Sequence, residues 1–263
     1  MKKIIAMILV VATMLTCAFS LTSCGKTKDL KAIEKAGKIV IGVTIYKPMD
    51  YLDEKDEWVG FDAELAQMFA KELGVNCQFV IIKWNNKHIE LNSNQIDLIW
   101  NGMTAKDDLK EHMDFSVSYA MNAQVAVVKK NSGLSASNVK NHTVAVENGS
   151  AGETVAKDTV KATKINEVNA MLDALTEVKS GNSQVAIVDI TMARNIVGQG
   201  EFADLEILDG ATYGKEVFAV GLRKDSDLKE KLDDFLKAKY KDGTMEKLAK
   251  KYNVTLNDEA LSK

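Results

Sequence analysis

The side chains able to carry out covalent or metal chemistry are few and scattered in this 263-residue sequence. His88, His112 and His142 lie far apart and show no spacing typical of metal ligands. The run GSAG at residues 149–152 does not place its serine between glycines at the offsets of a nucleophile elbow. The sequence therefore predicts neither a catalytic residue nor a bound metal or cofactor.

The first 23 residues have the order of a secretory signal: a lysine pair, an apolar run over residues 4–15 and a small-residue approach, LTS, to Cys24. The apolar run is shorter than the span of about 20 residues that a transmembrane helix needs. The order LTSC resembles a bacterial lipobox, which implies that residues 1–23 are removed and that Cys24 carries lipid, including palmitate. We expect a lipoprotein held outside the cytoplasm, on the cell membrane, through Cys24.

The remaining cysteine and the charge balance narrow the function classes further. If Cys17 leaves with the signal and Cys24 carries lipid, Cys77 is single, so no disulfide framework is expected. The net charge is −3 for the whole chain. It is −5 without residues 1–23, which contain two lysines and no acid. A mildly acidic chain with dispersed bases is a poor nucleic-acid binder.

Strands and helices alternate along the rest of the chain and must position its polar residues. KIVIGVTI (residues 38–45) and IDLIW (96–100) are apolar strand patterns, and GFDAELAQMFAKELG (60–74) between them has an apolar helical face, with Asp62 where an N-cap belongs. A second block repeats the order of strand, turn and helix from HTVAVENGS to VAIVD (185–189). This alternation favours an α/β fold with parallel strands and helical crossovers.

Two extended segments, near residues 121–127 and 211–219, connect the two blocks. They suggest two lobes with a cleft between them, and such clefts are favoured places for small ligands. The predicted parts are a signal peptide over 1–23, a lipid-anchored tether over 24–37, a first lobe of 38–122 and 217–263, and a second lobe of 123–216.

The order GFDAELA, IDLIWNGMTAKDDLKEHMDFS, VAVENGS and VAIVD resembles the solute-binding proteins of amino-acid ABC transporters. These proteins have the type II periplasmic-binding-protein fold, and the resemblance covers nearly the whole chain after the signal. It implies two lobes joined by a hinge of two crossing strands, which close on a small polar ligand, an amino acid or an analogue. It also implies a monomer that delivers this ligand to the permease of an ABC importer.

The resemblance assigns binding roles to residues at the strand ends. Asp189, which ends VAIVD, matches the acceptor of the ligand's ammonium group, and its other interpretation is an N-cap of the next helix. The ligand's carboxylate meets backbone N–H groups of a second-lobe turn. A first-lobe turn supplies backbone atoms and a hydroxyl, and two aromatic rings flank the ligand's side chain. These residues are Gly149, Ser150 and Ala151 in the second-lobe turn, Asn101, Gly102 and Thr104 in the first-lobe turn, and the aromatic pair Tyr46 and Trp84.

One position departs from the family. In an ungapped match across residues 104–116, the arginine that holds the ligand's carboxylate falls on Leu109. Three interpretations stay open. Lys106 or Lys110 reaches the carboxylate, although lysine lacks the planar fork of arginine. The turn at Ser150 holds it alone. Or the ligand has no carboxylate at this place and Leu109 forms an apolar wall.

A second departure lies before Tyr46, where residues 43–45 include no acid although many relatives place one there. With the arginine and this acid both absent, a basic amino acid is disfavoured as the ligand. We interpret the chain as a binding protein and not an enzyme. The alternatives are a cyclohexadienyl-dehydratase-like enzyme, since the fold family includes dehydratases derived from binding proteins, and a sensory lipoprotein that transports nothing.

Overall fold

The structure is a computed structural model, and it describes residues 28–263. The predicted signal over residues 1–23 and the predicted lipid site Cys24 lie outside the described residues. Across 28–263, no helix combines the length and the apolar character that crossing a membrane requires.

The strands of the described chain are β1 (Lys38–Val43), β2 (Tyr51–Leu52), β3 (Trp58–Val59), β4 (Asn76–Ile81), β5 (Leu98–Ile99), β6 (Asp114–Phe115), β7 (Ala120–Lys129), β8 (Thr143–Glu147), β9 (Lys164–Val168), β10 (Val185–Asp189), β11 (Leu205–Phe218) and β12 (Gly221–Leu222). The helices are α1 (Asp29–Ala36), α2 (Phe61–Glu72), α3 (Lys87–Asn92), α4 (Ala151–Thr154), α5 (Met171–Ser180), α6 (Ile190–Ile196), α7 (Leu228–Lys241), α8 (Thr244–Tyr252) and α9 (Asp258–Leu261). Turns of 3-10 helix cover Trp84–Asn86, Asp107–Glu111, Val139–Asn141 and Gly200–Phe202, and a π-helical turn covers Val155–Val160.

The first lobe is built on a five-stranded sheet in the order β4–β1–β5–β12–β6. Strand β1 is parallel to both of its neighbours, whereas β12 runs antiparallel to β5 and β6. Ile39, Ile41 and Val43 of β1 are completely buried. A strand that is apolar along its length suits the inside of an α/β lobe, because helices cover the faces of a parallel sheet.

The second lobe has a five-stranded sheet in the order β11–β7–β10–β8–β9. Strand β8 is parallel to β9 and β10. Helix α5 buries Met171, Ala174, Leu175 and Val178, which lie on one helical face because their spacing follows the 3.6-residue period. This face packs on β8 and β10, so α5 fixes the strands whose ends reach the cleft.

The two lobes are joined by neighbouring strands. Strands β7 and β11 pair antiparallel from Ala120 opposite Phe218 to Lys129 opposite Leu205. They overlap the two extended segments predicted from the sequence, and they are the two crossing strands expected of the hinge. The predicted two-lobe α/β fold of the type II periplasmic-binding proteins is confirmed.

The predicted tether over residues 24–37 needs correction in its second half. Residues Asp29–Ala36 form helix α1, which buries Ile33. The Asp29 carboxylate accepts hydrogen bonds from Arg223 Nε at 2.9 Å and Ser226 Oγ at 2.6 Å. Both partners are distant in sequence, so the polar composition of the segment gave no sign that it docks on the first lobe.

The predicted helix cap at Asp62 is wrong. Helix α2 begins at Phe61 with Gly60 in the cap position, and Asp62 lies buried inside the first turn. Its carboxylate accepts hydrogen bonds from Gly102 N at 2.6 Å and Tyr119 Oη at 2.7 Å. Asp62 therefore stabilises the turn that contains Gly102 instead of capping its own helix.

Candidate functional site

The cleft between the lobes is where the carboxyl ends of parallel strands from both sheets meet, which is where open α/β sheets bind ligands. Little free space is left between the two walls, with a cavity volume of about 20 Å³. First-lobe residues reach it just after β1, β4 and β5, and second-lobe residues after β8 and at the end of β10. The structure brings together all nine residues that the resemblance assigned: Tyr46, Trp84, Asn101, Gly102, Thr104, Gly149, Ser150, Ala151 and Asp189.

Asp189 is a buried carboxylate that receives only neutral hydrogen-bond donors. Tyr46 Oη donates to Oδ2 at 2.8 Å, and the amides of Asn122 and Gln124 donate to Oδ1, the former at 2.9 Å. Burial, and then the charge of Glu216, raises the pKa of Asp189 to about 7. Although Asp189 stands in the N-cap position of α6, its side chain makes no cap hydrogen bond. The carboxylate faces the cleft instead of its helix.

A second carboxylate, Glu216, sits beside the first on crossing strand β11. Its Oε2 accepts hydrogen bonds from Asn122 Nδ2 at 3.1 Å, Gln124 Nε2 at 2.9 Å and Thr104 Oγ1 at 3.0 Å. The amides of Asn122 and Gln124 thus serve both acids. The Thr104 hydroxyl, which was predicted to contact the ligand, already donates its hydrogen to Glu216 in the hinge. Thr104 therefore links the first lobe to β11.

The first-lobe turn is held rigidly by its side chains. Asn101 Oδ1 accepts from Thr44 N and Oγ1 at 2.9 and 2.8 Å, and its Nδ2 donates to Thr44 O and Asp50 Oδ2 at 3.0 and 2.8 Å. Gly102 has φ +54°, and a Cβ there would lie 2.7 Å from Tyr46 Cε1. The turn therefore needs glycine, and the amide of Asn101 is a structural lock that leaves backbone atoms to face the cleft.

The second-lobe turn leads into helix α4 through a side-chain cap. Ser150 Oγ accepts from Glu153 N at 3.1 Å, and the Glu153 carboxylate accepts from Gly149 N at 2.7 Å. Ser150 N donates to Glu147 O at 3.2 Å. Two of the three N–H groups predicted to face a ligand are thus used within the turn. The Ala151 N–H lies in the first helical turn, where backbone donors have no partner in their own helix.

Lys87 is a cleft residue that the sequence reasoning missed. It is 3% exposed, and its Nζ donates to Trp84 O at 3.1 Å and, across the cleft, to Gly149 O at 3.0 Å. The Nζ also lies 4.7 Å from the centre of the Trp84 ring. Burial, and then the charge of Lys106, lowers the pKa of Lys87 to about 8. One signal was available: Lys87 begins α3 three residues after the predicted ligand residue Trp84.

Glu147 is the second missed residue. It ends β8 as Asp189 ends β10, is 3% exposed, and lines the cleft with an Oε1 that no group among the described residues bonds. Burial, and then the charge of Asp189, raises the pKa of Glu147 to about 8. An unbonded, buried carboxylate oxygen is costly, which makes Glu147 an acceptor for a ligand group. The strand-end position it shares with Asp189 was the signal.

The side chain of Leu109 is partly buried and lines the cleft, and it packs against the apolar cluster that contains Trp84, Met103 and Met113. Among the lysines proposed as substitutes, Lys110 bonds Asp107 at 2.6 Å and does not line the cleft. Lys106 lines the cleft, but its Nζ bonds Thr154 Oγ1 at 3.0 Å across the lobes and lies 3.3 Å from Asp108. Leu109 is thus an apolar part of the wall.

The ionisable groups that line the cleft are carboxylates, lysines and a tyrosine. Its lining contains no histidine or cysteine, and His88 and His112 stack on each other with ring centroids 4.8 Å apart. Within residues 28–263, no three His, Cys, Asp or Glu side chains are grouped to hold a metal ion. The chemistry that the cleft supports is the pairing of charges: two buried carboxylates and a buried ammonium facing one space.

Comparisons with known proteins fit this geometry. Residues 39–255 match the family described as bacterial extracellular solute-binding proteins, family 3. The chain is 34% identical over 255 residues to the arginine-binding extracellular protein ArtP of Bacillus subtilis, covering 94% of this chain and 96% of that protein. An ABC uptake transporter substrate-binding protein from Streptococcus pneumoniae with bound histidine has a TM-score of 0.79 at 29% identity, covering 86% of this chain and 96% of that chain. An ancestral amino acid-binding protein, a precursor of cyclohexadienyl dehydratase, has a TM-score of 0.76 at 30% identity, covering 85% and 98%.

Proposed function

Because the chain belongs to family 3 of the bacterial extracellular solute-binding proteins, we propose that it captures a free amino acid in its cleft and hands it to the permease of an ABC importer. The observation that carries the proposal is Asp189, a buried carboxylate that has three neutral donors and no cation within 4.0 Å among the described residues. Such a group is costly until a cation pairs with it. An α-ammonium group is the cation that a free amino acid supplies.

The experiment that tests this proposal is a ligand screen of the protein from residue 28 onward against the twenty amino acids. A ligand present at 100 times its dissociation constant stabilises the folded state by about 2.7 kcal/mol, which a thermal melt resolves. We expect at least one amino acid to raise the melting temperature and to give a saturable calorimetric titration. Failure of every amino acid to do so contradicts the proposal.

Affinity should depend on pH, because Asp189 must be ionised to pair with an ammonium group. With the pKa of Asp189 at about 7, binding should weaken as the pH falls, by about fivefold from pH 7 to pH 6. Binding then releases protons. Titration calorimetry at pH 7 in two buffers of different ionisation enthalpy measures this release, and an affinity that stays flat from pH 6 to pH 8 contradicts it.

Glu147 narrows the class of amino acid. Once the ligand's ammonium pairs with Asp189, Glu147 still lines the same cleft with an Oε1 that has no hydrogen-bond partner among the described residues. The charge of Lys87 acts on Glu147 only from beyond 4.0 Å. A ligand with a cationic side chain supplies the missing charge, and ArtP, 34% identical, is named as an arginine-binding protein. We therefore favour a basic amino acid. This reverses the sequence-based expectation, which rested on the absence of the arginine at Leu109 and of an acid before Tyr46.

Comparing arginine with citrulline tests this assignment, because the two have the same shape and only arginine is charged. We expect the wild-type protein to prefer arginine and Glu147→Gln to lose about tenfold in arginine affinity. Its affinity for citrulline should stay within about threefold. The loss is limited because Glu147, with a pKa of about 8, must release a proton at pH 7.

The control for this comparison is Glu206→Gln, which removes an exposed carboxylate on β11 outside the cleft. It should bind both ligands as the wild type does. Equal losses of arginine and citrulline in Glu147→Gln would instead mean that Glu147 only supports the turn.

Three further parts of the proposal concern how the protein works in the cell. We propose that Cys24 is lipid-modified after removal of residues 1–23, that the lobes comprise residues 38–122 with 217–263 and residues 123–216, and that they close on the ligand. Supporting closure, Tyr46–Asp189 and Lys87–Gly149 bonds cross the cleft. These bonds tie opposing walls, as a hinged cleft does when it shuts.

One observation favours the enzyme alternative. A dehydratase needs an acid that protonates a departing hydroxyl, and Glu147, with a pKa of about 8, carries a proton at pH 7. We place this function second, because the named relatives of known ligand are binding proteins. If the wild type turns over a cyclohexadienyl substrate and Glu147→Gln does not, the enzyme becomes the preferred interpretation.

A further inference from the structure

Lys87 is a buried cation on which the nearest opposite charges, Glu147, Asp108 and Glu153, act only from a distance. An ammonium group has three N–H donors, and the two bonds of Lys87 Nζ go to carbonyl oxygens, Trp84 O and Gly149 O. No carboxylate among the described residues lies within 4.0 Å of it. A charge removed from water and left unpaired costs several kcal/mol. The third donor and the charge are therefore both available to an anion.

The position of the Nζ is as informative as its charge. Its bond to Gly149 O places it against the second-lobe turn, where the ligand's carboxylate is expected. Inside that turn, the N–H groups of Gly149 and Ser150 already have partners. The Ser150 hydroxyl hydrogen and the Ala151 N–H are neutral donors. They can hydrogen-bond a carboxylate but cannot balance its charge.

We infer that Lys87 takes the place of the arginine that the family carries at the position of Leu109, so that its ammonium group holds the ligand's α-carboxylate against the second-lobe turn. The inference rests on the proposed function, because it requires an amino-acid ligand. It adds a fourth interpretation to the three that the sequence left open for the leucine at the family's arginine position. The cation enters from the start of α3, beside Trp84, and not from the helical turn that contains Leu109.

The Trp84 ring gives this arrangement its stability. The ring lies 4.7 Å from Nζ, so its face partly replaces water around the ammonium group. Leu109 packs against the same apolar cluster as Trp84. A lysine in this place is a point charge without arginine's bidentate fork. The ligand's carboxylate is thus recognised by its charge more than by its plane.

The test compares an amino acid with its α-amide, which keeps the ammonium group and side chain but removes the negative charge. The probe pairs are L-arginine with L-argininamide and L-histidine with L-histidinamide. We expect the wild type to prefer the acid, and Lys87→Met to lose about 30-fold in affinity for the acid and little for the amide. In the double variant Lys87→Met/Leu109→Arg, the new guanidinium should restore the preference for the acid.

Each other outcome has a definite meaning. Equal loss of acid and amide in Lys87→Met would make Lys87 a closure contact to Gly149 only and overturn the inference. Loss of the acid in Lys106→Met, with Lys87→Met unaffected, would assign the carboxylate to Lys106 and also overturn it. Lys110→Met, which removes an exposed lysine outside the cleft, is the matched control and should bind as the wild type does.

If no amino acid in the screen binds the wild type, the proposed function itself fails. If amino acids bind and Lys87→Met keeps the preference for the acid, only this inference fails.

Discussion

Asp189→Asn should reduce the affinity for the amino-acid ligand by about 30-fold to about 4,000-fold. Removing one member of a buried charge pair costs about 2–5 kcal/mol, because the other charge stays buried without its partner. Asparagine keeps the size of the side chain. Its Oδ1 can still accept from the amides of Asn122 and Gln124 while its Nδ2 donates to the Tyr46 hydroxyl, which turns to accept, so the change mainly removes charge. Titration calorimetry with the amino acid identified in the screen measures the loss.

The same substitution should leave the ligand-free protein at least as stable as the wild type. Because burial raises the pKa of Asp189 to about 7, the folded state favours the protonated acid. Its contribution to stability is present below the unfolded pKa and is lost as the pH rises through about 7. At pH 8 the wild type keeps an unfavourable buried charge that asparagine lacks. A melt at pH 8 therefore separates loss of binding from loss of folding.

Asp209→Asn is the matched control for this prediction. Asp209 is an exposed carboxylate on β11, in the same lobe. It should bind ligand as the wild type does. If Asp189→Asn also binds unchanged, Asp189 is not the ammonium acceptor, and the donors around it serve only the junction of β7, β10 and β11.

The fold was predictable because its signals are local and repeated. Apolar runs of strand length, helices with one apolar face such as α5, and the order of blocks all depend on neighbours within one element. The failures lie where a long-range partner decides the structure. In the sequence Asp62 resembles a helix cap, but in the structure its carboxylate accepts hydrogen bonds from Gly102 and Tyr119. The sequence of α1 resembles a polar tether, but in the structure the segment is held to the first lobe by the ion pair of Asp29 with Arg223.

The candidate site shows the same division. The resemblance carried nine residues to the cleft because turns at strand ends keep their places in a parallel sheet. It could not supply Lys87, because a lysine at the start of a short helix is ordinarily exposed. Only the three-dimensional structure, in which Lys87 Nζ lies 3.0 Å from Gly149 O, shows that this lysine is buried. Glu147 was missed for a similar reason, since a strand-end acid is revealed as unpaired only by its surroundings.

Those surroundings also explain why binding residues make poor stabilising residues. Burial disfavours the charged forms of Asp189, Glu147 and Lys87, so it raises the pKa of the two acids and lowers the pKa of the lysine. A ligand of matching charge stabilises these charged forms, and that stabilisation contributes to its affinity. A cleft built this way selects ligands by charge complementarity, because a ligand without the matching charge leaves a desolvated ion unpaired.

Leu109→Arg, made alone, should weaken binding on the order of 100-fold. Leu109 packs against the cluster of Trp84, Met103 and Met113, and inserting a longer side chain into packed surroundings costs about 1–3 kcal/mol. The guanidinium would also face Lys87 and Lys106 in the same cleft, so like charges add to the cost. The extra cation has no anion to bind if Lys87 already holds the carboxylate.

Leu109→Met separates these causes, since it keeps the volume and the apolar character and should cost less than about 1.5 kcal/mol. The informative comparison is between backgrounds. If Lys87 holds the carboxylate, the arginine is harmful beside Lys87 and helpful when Lys87 is methionine, so the two substitutions are strongly non-additive. Tighter binding by Leu109→Arg in the wild-type background would show the reverse. That result would mean that the natural protein has no cation for the ligand's carboxylate. Position 109 would then be a place where a cation is missing, and not an apolar part of the wall.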